Sequence, residues 1–182
     1  MTNTKTENPD QPDSSPQGLD QTQGREVATY ALAAQIVELL TKSRRTIAVA
    51  ESLTAGMVSA SLADVPGASN CLRGGVTTYQ THTKASVLGV GEARLKKTGP
   101  VDPEVAKQMA RGVAKLFDAD FGVATTGVAG PGPSDGHEAG TVYVGVFSDS
   151  ATRAELFHFE GKRPQVREQA TAAALAEVRK LL

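Results

Sequence analysis

Thr46-Ile47-Ala48-Val49-Ala50-Glu51-Ser52-Leu53-Thr54-Ala55-Gly56 is the stretch that decides the fold. Its first five residues are a short apolar run and read as a buried strand. From Ser52–Leu53 to about Ala63 the chain reads as a helix. A buried strand running directly into a helix opens an α/β unit. It also sets Ser52 at the junction, where a hydroxyl stands beside the free N–H groups of a helix start.

The rest of the chain repeats this alternation. Upstream, Val27, Tyr30, Ala31, Ala34, Val37 and Leu40 recur at helical spacing between Glu26 and Ser43. Downstream, Pro66-Gly67 is a turn and Gly74–Tyr79 a second strand. A short helix carries Lys84–Leu88 and stops at Gly89, and another covers Glu92–Lys97. Asp102-Pro103-Glu104 is a helix start, with Asp as cap and Pro in the first position. Val105, Met109, Val113 and Leu116 then continue that helix to Phe117. Phe121–Thr125 is a third strand, Thr141–Ser148 an alternating fourth, and Thr152–Glu160 its hairpin partner. An Ala-rich helix from Arg163 to Leu182 closes the chain. Strands alternating with helices, then a late hairpin, predict a three-layer α/β/α sandwich with a mixed sheet. The strand order does not follow from the sequence.

Composition narrows the class. The 182 residues suit one domain with one sizeable core. Lys and Arg total 19 against 20 Asp and Glu, for a net charge of −1, so no global field draws the chain to nucleic acid or to a membrane surface. Cys71 is the single cysteine; it forms no internal disulfide, fits a reducing cytoplasm and reads as an inert, partly buried thiol. No apolar run approaches the ~18 residues of a membrane span, and the polar N-terminus lacks a signal-peptide core. Tryptophan is absent and aromatics make up 4%, so the core is built from Ala, Val and Leu, and stacking platforms for single-stranded nucleic acid are lacking. Residues 1–24 are rich in Thr, Asn, Pro, Asp, Ser and Gln and are expected to be a disordered tail ahead of a domain spanning 25–182.

Three segments carry candidate chemistry. Ser52 reads either as a nucleophile, with helix N–H groups near Thr54–Gly56 holding an oxyanion, or as the N-cap of its own helix. Glu51 could orient a neighbour, bind a substrate cation or complement the helix dipole. Lys84 could act as an amine base if desolvation lowers its pKa; otherwise it is a solvated lysine. Tyr79 could hydrogen-bond the nucleophile or stack on a ring. Finally, Thr125-Thr126-Gly127-Val128-Ala129-Gly130-Pro131-Gly132 follows a strand and offers close backbone approach and hydroxyls to an anion. It lacks the Lys-Ser/Thr ending of a P-loop, and its prolines prevent a dinucleotide-type helix start. Arg163 and Arg167 lie one turn apart on the last helix and could face a phosphate. His82, His137 and His158 show no metal-ligand spacing, so no metal and no cofactor are expected.

Together these segments resemble one family. They are Ala50-Glu51-Ser52-x-Thr54-x-Gly56, Gly75-x-x-x-Tyr79-x-x-x-x-Lys84 with Leu88-Gly89-Val90, Thr126-Gly127-Val128-Ala129-Gly130-Pro131-Gly132, Gly140-Thr141-Val142, and Gly161-x-Arg163-x-x-Val166-Arg167. In order and interval they resemble the CinA C-terminal domain, the nicotinamide-nucleotide amidase (PncC) family, over roughly Glu26–Leu182. The resemblance implies a three-layer α/β fold, a homodimer or larger assembly, and metal-independent hydrolysis of the carboxamide of nicotinamide mononucleotide to nicotinate mononucleotide and ammonia. It implies Ser52 as nucleophile, Lys84 as its base and Tyr79 as their support. Glu51, Thr54, Gly56, Thr126, Gly127, Gly130, Gly132 and Arg163 are the expected substrate-binding residues. Expected partners are thus a small nucleotide and further copies of the chain, with no nucleic acid and no membrane.

The sequence departs from the family pattern at Leu53 and Ala55, where Cys and Gly are more usual, and at Gln80-Thr81, where Ser-Asn is. Residues 1–24 are too few to encode the nucleotide-processing domain that precedes many members, so the stand-alone form is expected. Two other readings stay open. One is a nucleotide- or partner-binding module without appreciable turnover. The other, a metal-dependent phosphatase, lacks a carboxylate cluster.

Overall fold

The computed structural model describes residues 17–182. A five-stranded sheet runs in the order β2-β1-β3-β4-β5. Its strands are β1 (Ile47–Glu51), β2 (Leu72–Thr77), β3 (Phe121–Gly127), β4 (Thr141–Phe147) and β5 (Thr152–His158). The strand β1 pairs in parallel with β2 and β3, whereas β3–β4 and β4–β5 are antiparallel. The sheet is mixed, as the alternation followed by a hairpin requires.

Helices cover both faces. On one side lie α1 (Gln17–Ser43), α2 (Met57–Ala63) and α6 (Arg163–Arg179). Their side chains share a core with Ile47, Val49, Phe121, Val123, Val142, Val144 and Val146. On the other side lie α3 (Thr81–Leu88), α4 (Glu92–Thr98) and α5 (Pro103–Leu116). Here Leu88, Leu95, Val105, Met109 and Val113 meet Ala48, Ala50 and Ala124. The alternation Ile47, Ala48, Val49, Ala50 therefore sends large residues to one face and small ones to the other.

Small residues on the second face let α5 approach closely. A Cβ on Gly122 or Gly145 would run into the carbonyl of Ala110 or Ala106. The helix starts as its sequence predicts: Asp102 accepts from the N–H groups of Glu104 (2.9 Å) and Val105 (3.1 Å). The Asp102 carboxylate also binds Arg94. Cys71 is buried, and desolvation raises its thiol pKa, consistent with an inert thiol.

Most expected boundaries agree to within a few residues, and two differ in ways that matter. The first helix is described from Gln17, ahead of the expected Glu26. The expected tail therefore ends in helix, and its residues 1–16 lie outside the described residues. The helix expected from Ser52–Leu53 begins only at Met57. Ala55 (φ 50°) and Gly56 (φ 103°) both lie in the left-handed region and turn the chain before the helix can start.

The topology defines where a site can form. The parallel strands end level, with Glu51 in register with both Thr77 and Thr125. From β1 the chain crosses to the α2 face, and from β2 it crosses to the α3 face. Such a divergence at the carboxyl ends of parallel strands opens a crevice.

Candidate active site

Each segment entering that crevice follows one parallel strand. Ser52 comes directly after β1, Thr78 to Lys84 after β2, and the glycine-rich loop after β3. They line a cleft of about 380 Å³ that includes Ser52, Lys84, Val128, Asp135 and Arg163.

The turn carrying Ser52 is held from both sides. Glu51 is 1% exposed, and its carboxylate accepts from Gly56 N, Val58 N and Ser59 N at 2.9–3.1 Å and from Ser59 Oγ at 2.7 Å. The charge thus caps α2 from the preceding strand, complementing the helix dipole. On the other side Arg167 Nε donates to Leu53 O and Arg167 Nη2 to Thr54 O, each at 2.9 Å. The Thr54 and Thr125 hydroxyls pair at 2.8 Å beneath the turn.

This arrangement corrects several expectations. Ser52 is not an N-cap, because Gly56 occupies that position. Of the N–H groups near Thr54–Gly56 expected to hold an oxyanion, those of Ala55 and Gly56 are taken by Ser52 O and Glu51, and those of the helix start by Glu51 and the Thr54 carbonyl. Glu51 and Gly56, expected to bind substrate, are bound to each other and do not line the cleft, and of Thr54 the hydroxyl is paired with Thr125, leaving its backbone N–H. Arg167, which could have faced a phosphate, instead turns its guanidinium onto the Leu53 and Thr54 carbonyls and does not line the cleft, whereas Arg163 does. The N–H groups of Leu53 and Thr54 have no protein acceptor among the described residues. They are the donors nearest Ser52 in sequence.

Lys84 is delivered to Ser52 by α3. Its Nζ lies 3.0 Å from Ser52 Oγ. It also donates to Thr78 O at 2.6 Å and reaches Tyr79 O at 3.5 Å. A neutral amine has two hydrogens and one lone pair. With both hydrogens on the carbonyls, the lone pair faces the Ser52 hydroxyl. The side chain is 1% exposed, and burial lowers its pKa to about 8, against which the Asp135 carboxylate acts weakly upward. A serine hydroxyl, a neutralisable amine and unspent backbone donors can together perform acyl transfer.

Tyr79 is placed differently from expectation. Its side chain is 51% exposed, and its hydroxyl accepts from Arg163 Nη2 and makes no hydrogen bond with Ser52. Only its backbone carbonyl touches the amine. Arg163 also donates to Gly130 O at 2.7 Å, strapping the glycine-rich loop to the β2 side. Thr126, Gly127, Gly130 and Gly132 line the cleft as expected. The Thr126 hydroxyl proton, however, is donated to Pro100 O at 2.7 Å, so Thr126 cannot also donate to an anion. Gln80 and Thr81, noted above as departures from the family pattern, line the cleft, and so do Pro100, Val101, Ser134 and Asp135, which were not among the expected site residues. For Asp135 a signal existed: Asp135-Gly136 is a two-residue hairpin signature. No group of three or more His, Cys, Asp or Glu side chains suited to a metal occurs among the described residues.

With this geometry in view, the chain can be compared with known proteins. Residues 29–182 match the CinA C-terminal domain. A CinA-like protein of Frankia casuarinae is 41% identical over 155 residues, covering 85% of this chain and 36% of the relative. A putative competence-damage inducible protein of Halalkalibacterium halodurans is 44% identical over 140 residues, covering 76% and 33%. The chain thus spans about a third of the length of these curated relatives. Among solved structures, a competence/damage inducible protein from Agrobacterium tumefaciens superposes with a TM-score of 0.82 at 29% identity, covering 85% of this chain and 95% of that one. A CinA superfamily protein from Escherichia coli gives 0.81 at 29% identity, covering 85% and 90%. The chain belongs to the CinA C-terminal domain family.

Proposed function

We propose that this domain is an amidohydrolase that deamidates nicotinamide mononucleotide through Ser52 and Lys84. The relatives' names give no reaction, so the Ser-Lys chemistry rests on the site, and the choice of substrate rests on the resemblance set out above. The observation that carries it is the 3.0 Å approach of a buried amine, with its pKa lowered to about 8, to the Ser52 hydroxyl.

In this reading neutral Lys84 takes the Ser52 proton as Oγ attacks the carboxamide carbon. The C=O electrons move to an oxyanion facing the N–H groups of Leu53 and Thr54. Collapse breaks the C–N bond, and the protonated amine gives its proton to the departing nitrogen, so ammonia leaves. Water then attacks the acyl-serine with Lys84 as base. Ser52 recovers its proton, and the carboxylate leaves. Arg163, at the far rim, supplies positive charge for the phosphate of the nucleotide. Leu53, Val101, Val128, Ala129 and Pro131 supply apolar walls for the ring.

The test is ammonia release from nicotinamide mononucleotide and from nicotinamide, side by side, with and without EDTA. The expected result is chelator-insensitive release that favours the nucleotide and disappears in Ser52→Ala with the fold intact. Near-normal turnover in Ser52→Ala rejects the mechanism. Ligand protection without ammonia from the unmutated protein favours a binding module instead.

A further inference from the structure

Asp135 is the one carboxylate among the residues lining the cleft, against two basic side chains, Lys84 and Arg163. It forms none of the ion pairs found among the described residues. Its contact is with its neighbour: Ser134 Oγ donates to Asp135 Oδ2 at 3.1 Å. The other carboxylate oxygen accepts no hydrogen bond from a described residue.

The backbone fixes where this charge sits. Ser134 and His137 exchange hydrogen bonds, Ser134 N to His137 O at 3.0 Å and His137 N to Ser134 O at 2.9 Å. Between them Asp135 (φ 52°) and Gly136 (φ 77°) are both left-handed, as a type I′ hairpin turn requires. The Asp135 side chain lies over Gly99, next to the Pro100 and Val101 wall. Pro100, the neighbour of Gly99, accepts from Thr126 Oγ1, and the adjacent Thr125 carbonyl accepts from Ser52 N, so this wall and the Asp135 turn over it stand on the Ser52 side of the cleft.

We propose that Asp135 determines specificity by pairing with a positively charged ring, so that the cleft takes pyridinium carboxamides in preference to neutral aromatic carboxamides. This rests on the amidase reading above. A carboxamide carbon attacked by Ser52 brings its ring to the Lys84 end of the cleft. In a nicotinamide nucleotide that ring carries a full positive charge, while the phosphate is anionic. A site with its carboxylate at the reacting end and Arg163 at the rim matches both charges in order. A cationic ring entering beside Lys84 and Arg163 without Asp135 would meet only positive or neutral groups.

The test compares two substrates, nicotinamide mononucleotide and the benzamide ribonucleotide, which has the same carboxamide, ribose and phosphate on a neutral ring. Asp135→Asn is expected to lower kcat/KM for the cationic substrate by about fivefold to tenfold, chiefly through KM, and to leave the neutral one within about twofold. An effect transmitted through Lys84 strikes both substrates alike, so the ratio isolates the ring. Equal losses on both, or none, overturn the proposal. Calorimetric binding of the same two ligands to Ser52→Ala, with and without Asp135→Asn, separates this inference from the amidase reading. Weaker binding of the cationic ligand alone supports Asp135 even if the unmutated protein releases no ammonia. Indifference of both ligands to Asp135→Asn rejects it whatever the turnover.

Discussion

Three strand-ends build the cleft, and two of them, those of β1 and β3, are made in opposite ways. In the Ser52 turn nearly every polar group is bound within the protein. Glu51 takes three backbone N–H groups and a hydroxyl, Arg167 takes two carbonyls, and Thr54 pairs with Thr125. The loop after β3 is tied at its base by Val128 N to Thr141 O and Gly140 N to Val128 O, while Pro131 to Gly136 are exposed. A nucleophile must be held to a fraction of an ångström, whereas a recognition loop needs only the right charge at the rim. The difference teaches which substitutions should stop chemistry and which should only alter binding.

The largest effect is expected at the amine. Lys84→Met should lower kcat by roughly 10²–10⁴-fold or more, the span of a general base, in the ammonia assay. It should also raise thermal stability at neutral pH. A lysine whose folded pKa is lowered to about 8 penalises the folded state while protonated. That cost, on the order of 3 kcal/mol, is complete below about pH 8 and fades as pH climbs toward the ordinary lysine value. The stability gain of Lys84→Met should therefore shrink with rising pH. In the unmutated protein, kcat/KM should rise from pH 6 and level off above about pH 8. A flat profile would remove the amine from the mechanism.

Next comes the carboxylate under the turn. Glu51→Gln puts an amide NH₂ against N–H donors and should destabilise the fold by about 2–4 kcal/mol, read by urea unfolding. A change below about 0.5 kcal/mol, the usual size at an uninvolved surface site, would show that the turn is not locked as described.

Arg167→Lys keeps the charge but loses the fork that grips Leu53 O and Thr54 O. The expected loss is about tenfold to a hundredfold in kcat with KM nearly unchanged, because the N–H groups of the turn lose their aim. A loss confined to KM would instead make Arg167 a substrate contact.

The smallest effect belongs to the loop. His137→Ala leaves the backbone pair with Ser134 intact and should change stability by no more than about 0.5 kcal/mol and kcat by less than about twofold. A larger loss in kcat would erase the distinction between the two regions.

Much of this was legible in the chain. The apolar run before Glu51, the alternating Val142, Val144 and Val146, and the Asp102-Pro103 cap each pointed to the element observed, because periodicity and capping are local physics. The start of α2 was not legible. Ser52 and Gly56 both suit an N-cap, and only the buried Glu51 carboxylate, reaching forward to Val58 and Ser59, decides for Gly56. The contacts of Tyr79 and Arg167 were not legible for a related reason. A tyrosine near a serine in a motif says nothing of where its hydroxyl points, and Arg167 is claimed by carbonyls 113 and 114 positions away. The Asp135-Gly136 turn was readable, but its place beside Lys84 was not.

By itself, then, the sequence determined the α/β class, the strands and helices, and the residue types able to do acyl-transfer chemistry, since these follow from short-range pattern and side-chain chemistry. The tertiary structure alone decided the strand order and the committed partners of Glu51, Thr126 and Arg167, and it alone brought Lys84 onto Ser52, a pairing that the motif resemblance implied but no spacing dictated. Those depend on which strand-ends lie side by side and on how deeply an amine is buried, and no local spacing encodes either.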